Sequence, residues 1–182
     1  MRHCFKFTKE RNSMIPEFKF ALFEGFTDPQ LLPTRANDLD AGWDVRCATL
    51  TRISRYKTVL IPLGIKVICP EGWWLELKPR SSTHFKKHLH CLNGVIDNGY
   101  EGHIQLCSTY ISQHEDDFFI RGGEKIYEDS LDIEAGERIA QLIPRRLEQM
   151  YASLVSEDEF SKLSLERKNS RGAGGFGSSG KV

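Results

Sequence analysis

Four short stretches carry residue types for which a purely structural chain has little use. In KPRSST (Lys78 to Thr83) an arginine stands beside hydroxyl residues at the start of a possible helix. A guanidinium, hydroxyls and free backbone N–H groups then meet in one place, the set that an anionic phosphate requires. In GVIDNGYEG (Gly94 to Gly102) the Asn98-Gly99 pair suits a two-residue turn with positive φ at both centres, which sets Asp97 and Tyr100 opposite each other on one face of a hairpin. A carboxylate that is ionised at neutral pH, and so able to take a proton from water, shares a patch with a phenol ring. In GERIAQLIP strict alternation puts Ile139 and Gln141 on one face, with Gln141 at a rim or hydrogen-bonded inside. In RGAGGFGSSG (Arg171 to Gly180) four glycines, Gly174, Gly175, Gly177 and Gly180, let backbone N–H groups curl around an anion while Arg171 supplies charge. Taken singly, each stretch also has an ordinary structural reading: a capped strand end, a polar-flanked turn, a strand with one polar edge residue, a frayed tail.

Strands must position these groups. Val59, Ile61 and Leu63 alternate in KTVLIPLGIKVICP, Ile65 and Val67 continue beyond Gly64, and Pro70-Glu71-Gly72 turns the chain into WWLELKP. NGVI and YEGHIQL form a second pair of runs, and DFFI, KIY and RIAQLIP follow. Helical signals are confined to SSTHFKKHLHCL, with Ser81 or Ser82 as cap, and SEDEFSKLSLERK, with a Ser156/Glu159 capping box. Many short strands with frequent Gly and Pro predict an all-β, mostly antiparallel barrel or sandwich with short helices.

At 182 residues the chain fits one domain with a self-sufficient core. Lys plus Arg equals Asp plus Glu at 25 each, so no net field draws the protein to nucleic acid or an anionic membrane, and any bound anion must be met locally. Five scattered cysteines without a C-x-x-C pair fit reduced thiols, and neither a secretory signal nor a membrane span is expected. These features predict a soluble protein of the cytoplasm, or of a host's cytoplasm if phage-encoded.

In order along the chain, DAGWD (Asp40 to Asp44), PRSS (Pro79 to Ser82), GVIDNGYEG, GERIAQ (Gly136 to Gln141) and RGAGGFGSSG resemble the five motifs of the homotrimeric deoxyuridine triphosphatase (dUTPase) family, with LPTRAN (Leu32 to Asn37) similar to its lead-in. The resemblance implies a jelly-roll-like barrel over residues 1–170 and a flexible C-terminal arm over 171–182. It also implies a homotrimer with active sites at subunit interfaces, and hydrolysis of dUTP to dUMP and pyrophosphate with Mg²⁺. By motif, Asp97 would deprotonate the attacking water with Gln141 nearby, and Tyr100 would pack on the deoxyribose. Backbone groups of Asn93, Gly94, Val95 and Ile96 would read uracil, and Arg80, Ser81 and Ser82 would hold phosphates. Asp44 would reach the metal through water. On the arm, Phe176 would cover the base while Arg171, Gly177, Ser178 and Ser179 reach the phosphates, with Arg171 also serving catalysis.

The chain departs from the family pattern at Trp43, Val45, Ser82 and Ser179, all conservative in size or hydrogen bonding, and in residues 1–14 and about 112–135, which read as an extension and an insertion. FFIRGGEKIY predicts an extra hairpin turning at Gly122-Gly123, a possible docking element for a protein partner. His84, His88 and His90 lie close in sequence, but no second ligand cluster accompanies them, so a solvated basic face is the better reading than a metal site. Two rival functions remain open. One is a deoxycytidine triphosphate deaminase, against which Cys107 stands where that family's catalytic Glu is expected. The other is a dUTPase-fold regulatory binding protein.

Overall fold

The computed structural model describes residues 15–111, 118–127 and 130–167. They divide into two compact units, with the boundary after Leu147. The first unit holds thirteen strands among its described residues: β1 (Lys19–Leu22), β2 (Trp43–Arg46), β3 (Thr51–Ser54), β4 (Thr58–Pro62), β5 (Ile65–Ile68), β6 (Trp73–Pro79), β7 (Leu89–Cys91), β8 (Gly94–Ile96), β9 (Gln105–Tyr110), β10 (Phe118–Arg121), β11 (Glu124–Tyr127), β12 (Ser130–Ile133) and β13 (Arg138–Arg146), with helix α1 (Ser81–Lys87) between β6 and β7. All described pairings are antiparallel, in the orders β2-β13-β6-β8, β4-β9-β7, β1-β5, β3-β12 and β10-β11. This is the all-β, jelly-roll-like architecture expected from the sequence.

Alternation builds the core. Leu75 and Leu77 of β6, Leu106 of β9, and Ile61, Leu63, Ile65 and Val67 across the Gly64 turn are all buried, as their period-2 spacing requires. Each such side chain contributes roughly 1.5–3 kcal/mol relative to exposure. Which strands pair is another matter. Neighbours in sequence rarely pair: β4 lies on β9, β5 on β1, and β8 on β6. The expected hairpin joining NGVI to YEGHIQL does not form, because the chain leaves one sheet after Ile96 and enters another at Gln105. The one local hairpin among the described residues is β10–β11, turning at Gly122 and Gly123 with φ of 63° and 86° as FFIRGGEKIY predicts. Within the stretch around residues 112–135, Ser130–Ile133 pairs with β3 and Ile133 is buried in the core.

Helix α1 begins on an extended Arg80 with no side-chain cap, so neither Ser81 nor Ser82 caps it; Thr83 instead donates to the Ile139 carbonyl at 2.6 Å and pins the helix to β13. The second unit contains helix α2 (Glu157–Glu166), whose N-cap Ser156 accepts from the Glu159 N–H as expected. Among the described residues the four cysteines are free thiols, and no helix is long and apolar enough to cross a membrane.

Candidate functional site

The sequence-predicted residues fall into two groups on either side of β6, one where β6 ends against β13 and one along its β8 edge. At the C-terminal end of β6, β13 lies between β2 and β6, with Gln141 across from Asp44 on one side and Lys78 on the other. A bulge at Arg138–Ala140 buries two consecutive residues, Ile139 and Ala140, so strict alternation fails there and Gln141 is only half-buried, beside Asp44 rather than facing inward with Ile139. Asp44 bridges two guanidiniums, Arg80 Nε at 3.2 Å and Arg138 at 3.1 Å, and its side chain is 18% exposed. The Arg80 N–H donates to the Ile139 carbonyl at 3.1 Å, and its guanidinium points toward the Arg138 carbonyl at 3.4 Å. One carboxylate thus aligns two arginines and leaves the group net positive. Exposed Ser81 and half-buried Ser82 follow directly, their hydroxyls without partners among the described residues. The arrangement suits a polyanion.

The other group surrounds a cavity of about 300 Å³, within the usual range for small-ligand sites. Gly94, Val95, Ile96 and Tyr100, all singled out in the sequence, line it together with Leu77 and His103, which were not. Val95, 64% exposed, and Tyr100, 44% exposed, are apolar surface offered to solvent at its mouth. Asn93 is exposed just before β8.

The turn beyond β8 differs from the sequence expectation. Asp97 and Tyr100 are not cross-strand partners; they are the two ends of one tight turn, in which the Tyr100 N–H donates to the Asp97 carbonyl at 3.0 Å. Neither Asn98 nor Gly99 has a positive φ. The Asn98 side chain shapes the turn instead: its amide donates to the carbonyls of Pro70 and Trp73, both at 2.8 Å, and tethers the turn to the β5–β6 corner. A donor set bridging two carbonyls is a use of Asn that no dipeptide preference reveals. Asp97 is exposed, and its carboxylate has no hydrogen bond or ion pair among the described residues, which leaves both oxygens for water.

Tyr100 folds back over Gly102 and donates from its hydroxyl to the His103 carbonyl at 2.9 Å. A Cβ at Gly102 would lie 2.6 Å from that hydroxyl and 2.7 Å from the adjacent ring carbon, so glycine is what lets the ring lie flat. A phenol whose hydroxyl is committed to the backbone presents a face, not a donor.

Among the described residues no group of three His, Cys, Asp or Glu side chains could hold a metal, and Asp44 is taken up by its two arginines. The donor set does not fit a resident metal. His84 and His90 touch edge to face at 5.1 Å between centroids without a third ligand. A larger cavity, about 790 Å³, opens between Ile15, Cys69, Trp73 and Arg146 and contains none of the predicted residues. Arg171, Phe176, Gly177, Ser178 and Ser179 lie outside the described residues.

A family model for dUTPase matches residues 28–128. A deoxyuridine 5'-triphosphate nucleotidohydrolase from Mycolicibacterium gilvum (strain PYR-GCK) is 33% identical over 84% of this chain and 90% of its own length. Among solved structures, the dUTPase of Staphylococcus bacteriophage 80alpha with dUpNHpp matches at 28% identity over 91% of this chain and 99% of that one, with a TM-score of 0.70. The dUTPase of Streptococcus mutans matches at 30% identity over 73% and 98%, with a TM-score of 0.61.

Proposed function

This chain belongs to the dUTPase family and is a dUTP diphosphatase, and we propose that Asp97 is its general base and the Gly94–Tyr100 cavity its nucleoside site. The observation that carries the reading is the unpartnered, exposed carboxylate of Asp97 on the turn that also supplies a wall of the cavity. A water held by Asp97 gives up a proton to the carboxylate as its oxygen attacks the α-phosphorus. The bond from that phosphorus to the bridging oxygen breaks, and pyrophosphate leaves with the bond's electrons. The Tyr100 ring packs on the deoxyribose where a ribose 2′-hydroxyl would meet an apolar face and find no partner, which disfavours UTP. Backbone groups of Asn93 to Ile96 read the uracil edge. Arg80, Ser81 and Ser82 hold phosphates, with Asp44 and Arg138 fixing the Arg80 fork and Gln141 beside them. Mg²⁺, carried in with the substrate, would offset the charge of the triphosphate held by Arg80, Ser81 and Ser82. The arm, with Phe176 and Arg171, closes over the nucleotide.

The β6–β8 register supports a shared site. Ile96 pairs with Leu75, so Asp97 is level with Trp74, six residues before Arg80; at about 3.3 Å per residue the two lie roughly 20 Å apart. Asp97 must come within one water of the α-phosphorus, and Arg80 must touch the same triphosphate. One chain's Asp97 therefore works with another chain's Arg80, in a homotrimer. A deaminase reading has no support on β9, where Cys107 offers no carboxylate.

Asp97→Asn should abolish pyrophosphate release while dUTP still binds, since shape is kept and the proton acceptor is lost. Mixing inactive Asp97→Asn chains with inactive Arg80→Ala chains and allowing subunit exchange should restore part of the activity. Near wild-type turnover by Asp97→Asn would refute the base assignment. A failure of exchanged mixtures to recover would refute the sharing.

A further inference from the structure

His103 belongs to none of the five motifs, yet it is the most elaborately held side chain at the nucleoside cavity. Its ring stacks on Phe23 at 4.4 Å between centroids and 8° between planes, and leans on Phe26 at 5.4 Å. Its Nε2 accepts the Gly64 N–H at 3.0 Å, so the ring proton sits on Nδ1 and the imidazole is neutral. Gly64 itself is fixed, with φ of +68° and no room for a Cβ among Leu31, Ala48 and Phe26. The His103 carbonyl receives the Tyr100 hydroxyl, and both residues line the cavity.

Resting on the assignment of that cavity to the nucleoside, we propose that His103 is a positioning residue: its neutral ring, anchored to Gly64 and Phe23, holds the carbonyl that locks Tyr100 against the sugar and thereby sets dUTP affinity. An imidazolium carries N–H on both nitrogens, so protonation would turn Nε2 toward the Gly64 N–H as donor against donor and release the ring. Burial opposes protonation and moves the ring's titration below the ordinary histidine value. The titratable side chains on the surrounding segments are Glu24 and Asp28 beside the phenylalanines, Lys66 beyond Gly64, and Asp97, Tyr100 and Glu101 on its own loop; none of them contributes to that shift. The anchored state is therefore intact at neutral pH and lost as pH falls through the depressed value.

The test is KM and kcat for dUTP between pH 8 and pH 5, in wild type and in variants. Wild-type KM should rise as pH falls, through a midpoint below the ordinary histidine value. His103→Gln keeps an acceptor for the Gly64 N–H but cannot titrate, so its KM should stay level while its kcat follows the wild-type pH curve. His103→Ala should raise KM about tenfold already at pH 7.5, and in the Tyr100→Phe background it should add little more, since both changes break one linkage. Should His103→Ala fold poorly, Phe23→Leu removes the stack and should raise KM in the same direction. A His103→Gln profile matching wild type, or additive effects of His103→Ala and Tyr100→Phe, would overturn the proposal. Absence of wild-type dUTP turnover would instead overturn the site assignment. The ring's ¹⁵N shifts separate the two, because the Nδ1–H tautomer is visible without substrate.

Discussion

Gly102→Ala isolates what the Tyr100 platform contributes. The added methyl carbon would lie 2.6 Å from the phenol oxygen and 2.7 Å from its ring carbon, against 3.4 Å at the near edge of ordinary contact, so the ring must yield by close to an ångström. The backbone has no objection, since φ at Gly102 is not positive. What gives way is the half-exposed ring, whose one hydrogen bond, 2.9 Å to the His103 carbonyl, is lost. That bond is worth about 1 kcal/mol net, which lowers Tm by roughly 2–4 °C for a chain of this size. Function should suffer more than stability. A 1 Å displacement of a positioning group can cost on the order of 10²-fold, so kcat/KM for dUTP should fall roughly 10- to 100-fold, and the preference for dUTP over UTP should narrow.

The assay is pyrophosphate release from both nucleotides at several concentrations, alongside a thermal melt. Gly99→Ala is the control in the same loop. A methyl group there would meet no atom within 4 Å, and φ at Gly99 is not positive, so activity should be unchanged and stability equal or slightly higher. If Gly102→Ala retains wild-type kcat/KM and dUTP preference, the claim that ring placement governs sugar recognition is wrong. A crystal structure of the variant with the Tyr100 hydroxyl still on the His103 carbonyl would refute the steric step itself.

Two further outcomes follow from the same loop and from the barrel's ion pairs. Asn98→Asp replaces the amide that donates to the Pro70 and Trp73 carbonyls with a carboxylate facing two acceptors; a loss of about 2–3 kcal/mol is expected, read as a lower urea midpoint with an unchanged slope. Asp132, bonded by Arg52, and Glu76, bonded by Arg145 and Lys78, titrate below the ordinary carboxylate range. Their folded pKa values are depressed, so the stability they add is present above the unfolded values and is lost as pH falls through the folded ones. Asp132→Asn should flatten that part of the acid limb, and added salt should shrink the difference, because both pairs are exposed.

The elements themselves were legible because each is a local property. Alternation over Val59 to Val67 marked the buried residues, Gly122-Gly123 marked the one hairpin among the described residues, and Ser156 with Glu159 marked the start of α2. Partners were not legible, because pairing depends on the far side of the barrel. β4, β5 and β8 each meet a strand remote in sequence, and nothing in their own residues names it. The same division runs through the candidate site. Arg80 and Tyr100 were singled out by residue type, and the Gly94–Ile96 segment by the family resemblance. Asn98, Gly102 and His103 were not, because their work is done on Pro70, Trp73, Tyr100 and Gly64, and only the fold brings those within reach.

The separation of the proposed base from the proposed phosphate clamp follows from what β6 is. Its inward residues Leu75 and Leu77 are fully committed to the core, so the strand is a stiff rod whose ends move together. A carboxylate and a pair of arginines on one flexible loop would attract each other and neutralise the base before substrate arrived. Held about 20 Å apart by six residues of chain, Asp97 stays unpartnered while Asp44 satisfies the arginines. On the proposed shared site, the two halves would meet across a subunit boundary, with a triphosphate between them. It follows that an assembled chain with Asp97 and Arg80 both intact should lose turnover on dilution into monomers while each monomer remains folded. Activity per chain that holds constant far below the dissociation concentration would show that one chain suffices, and that the span of β6 is not the separation that matters.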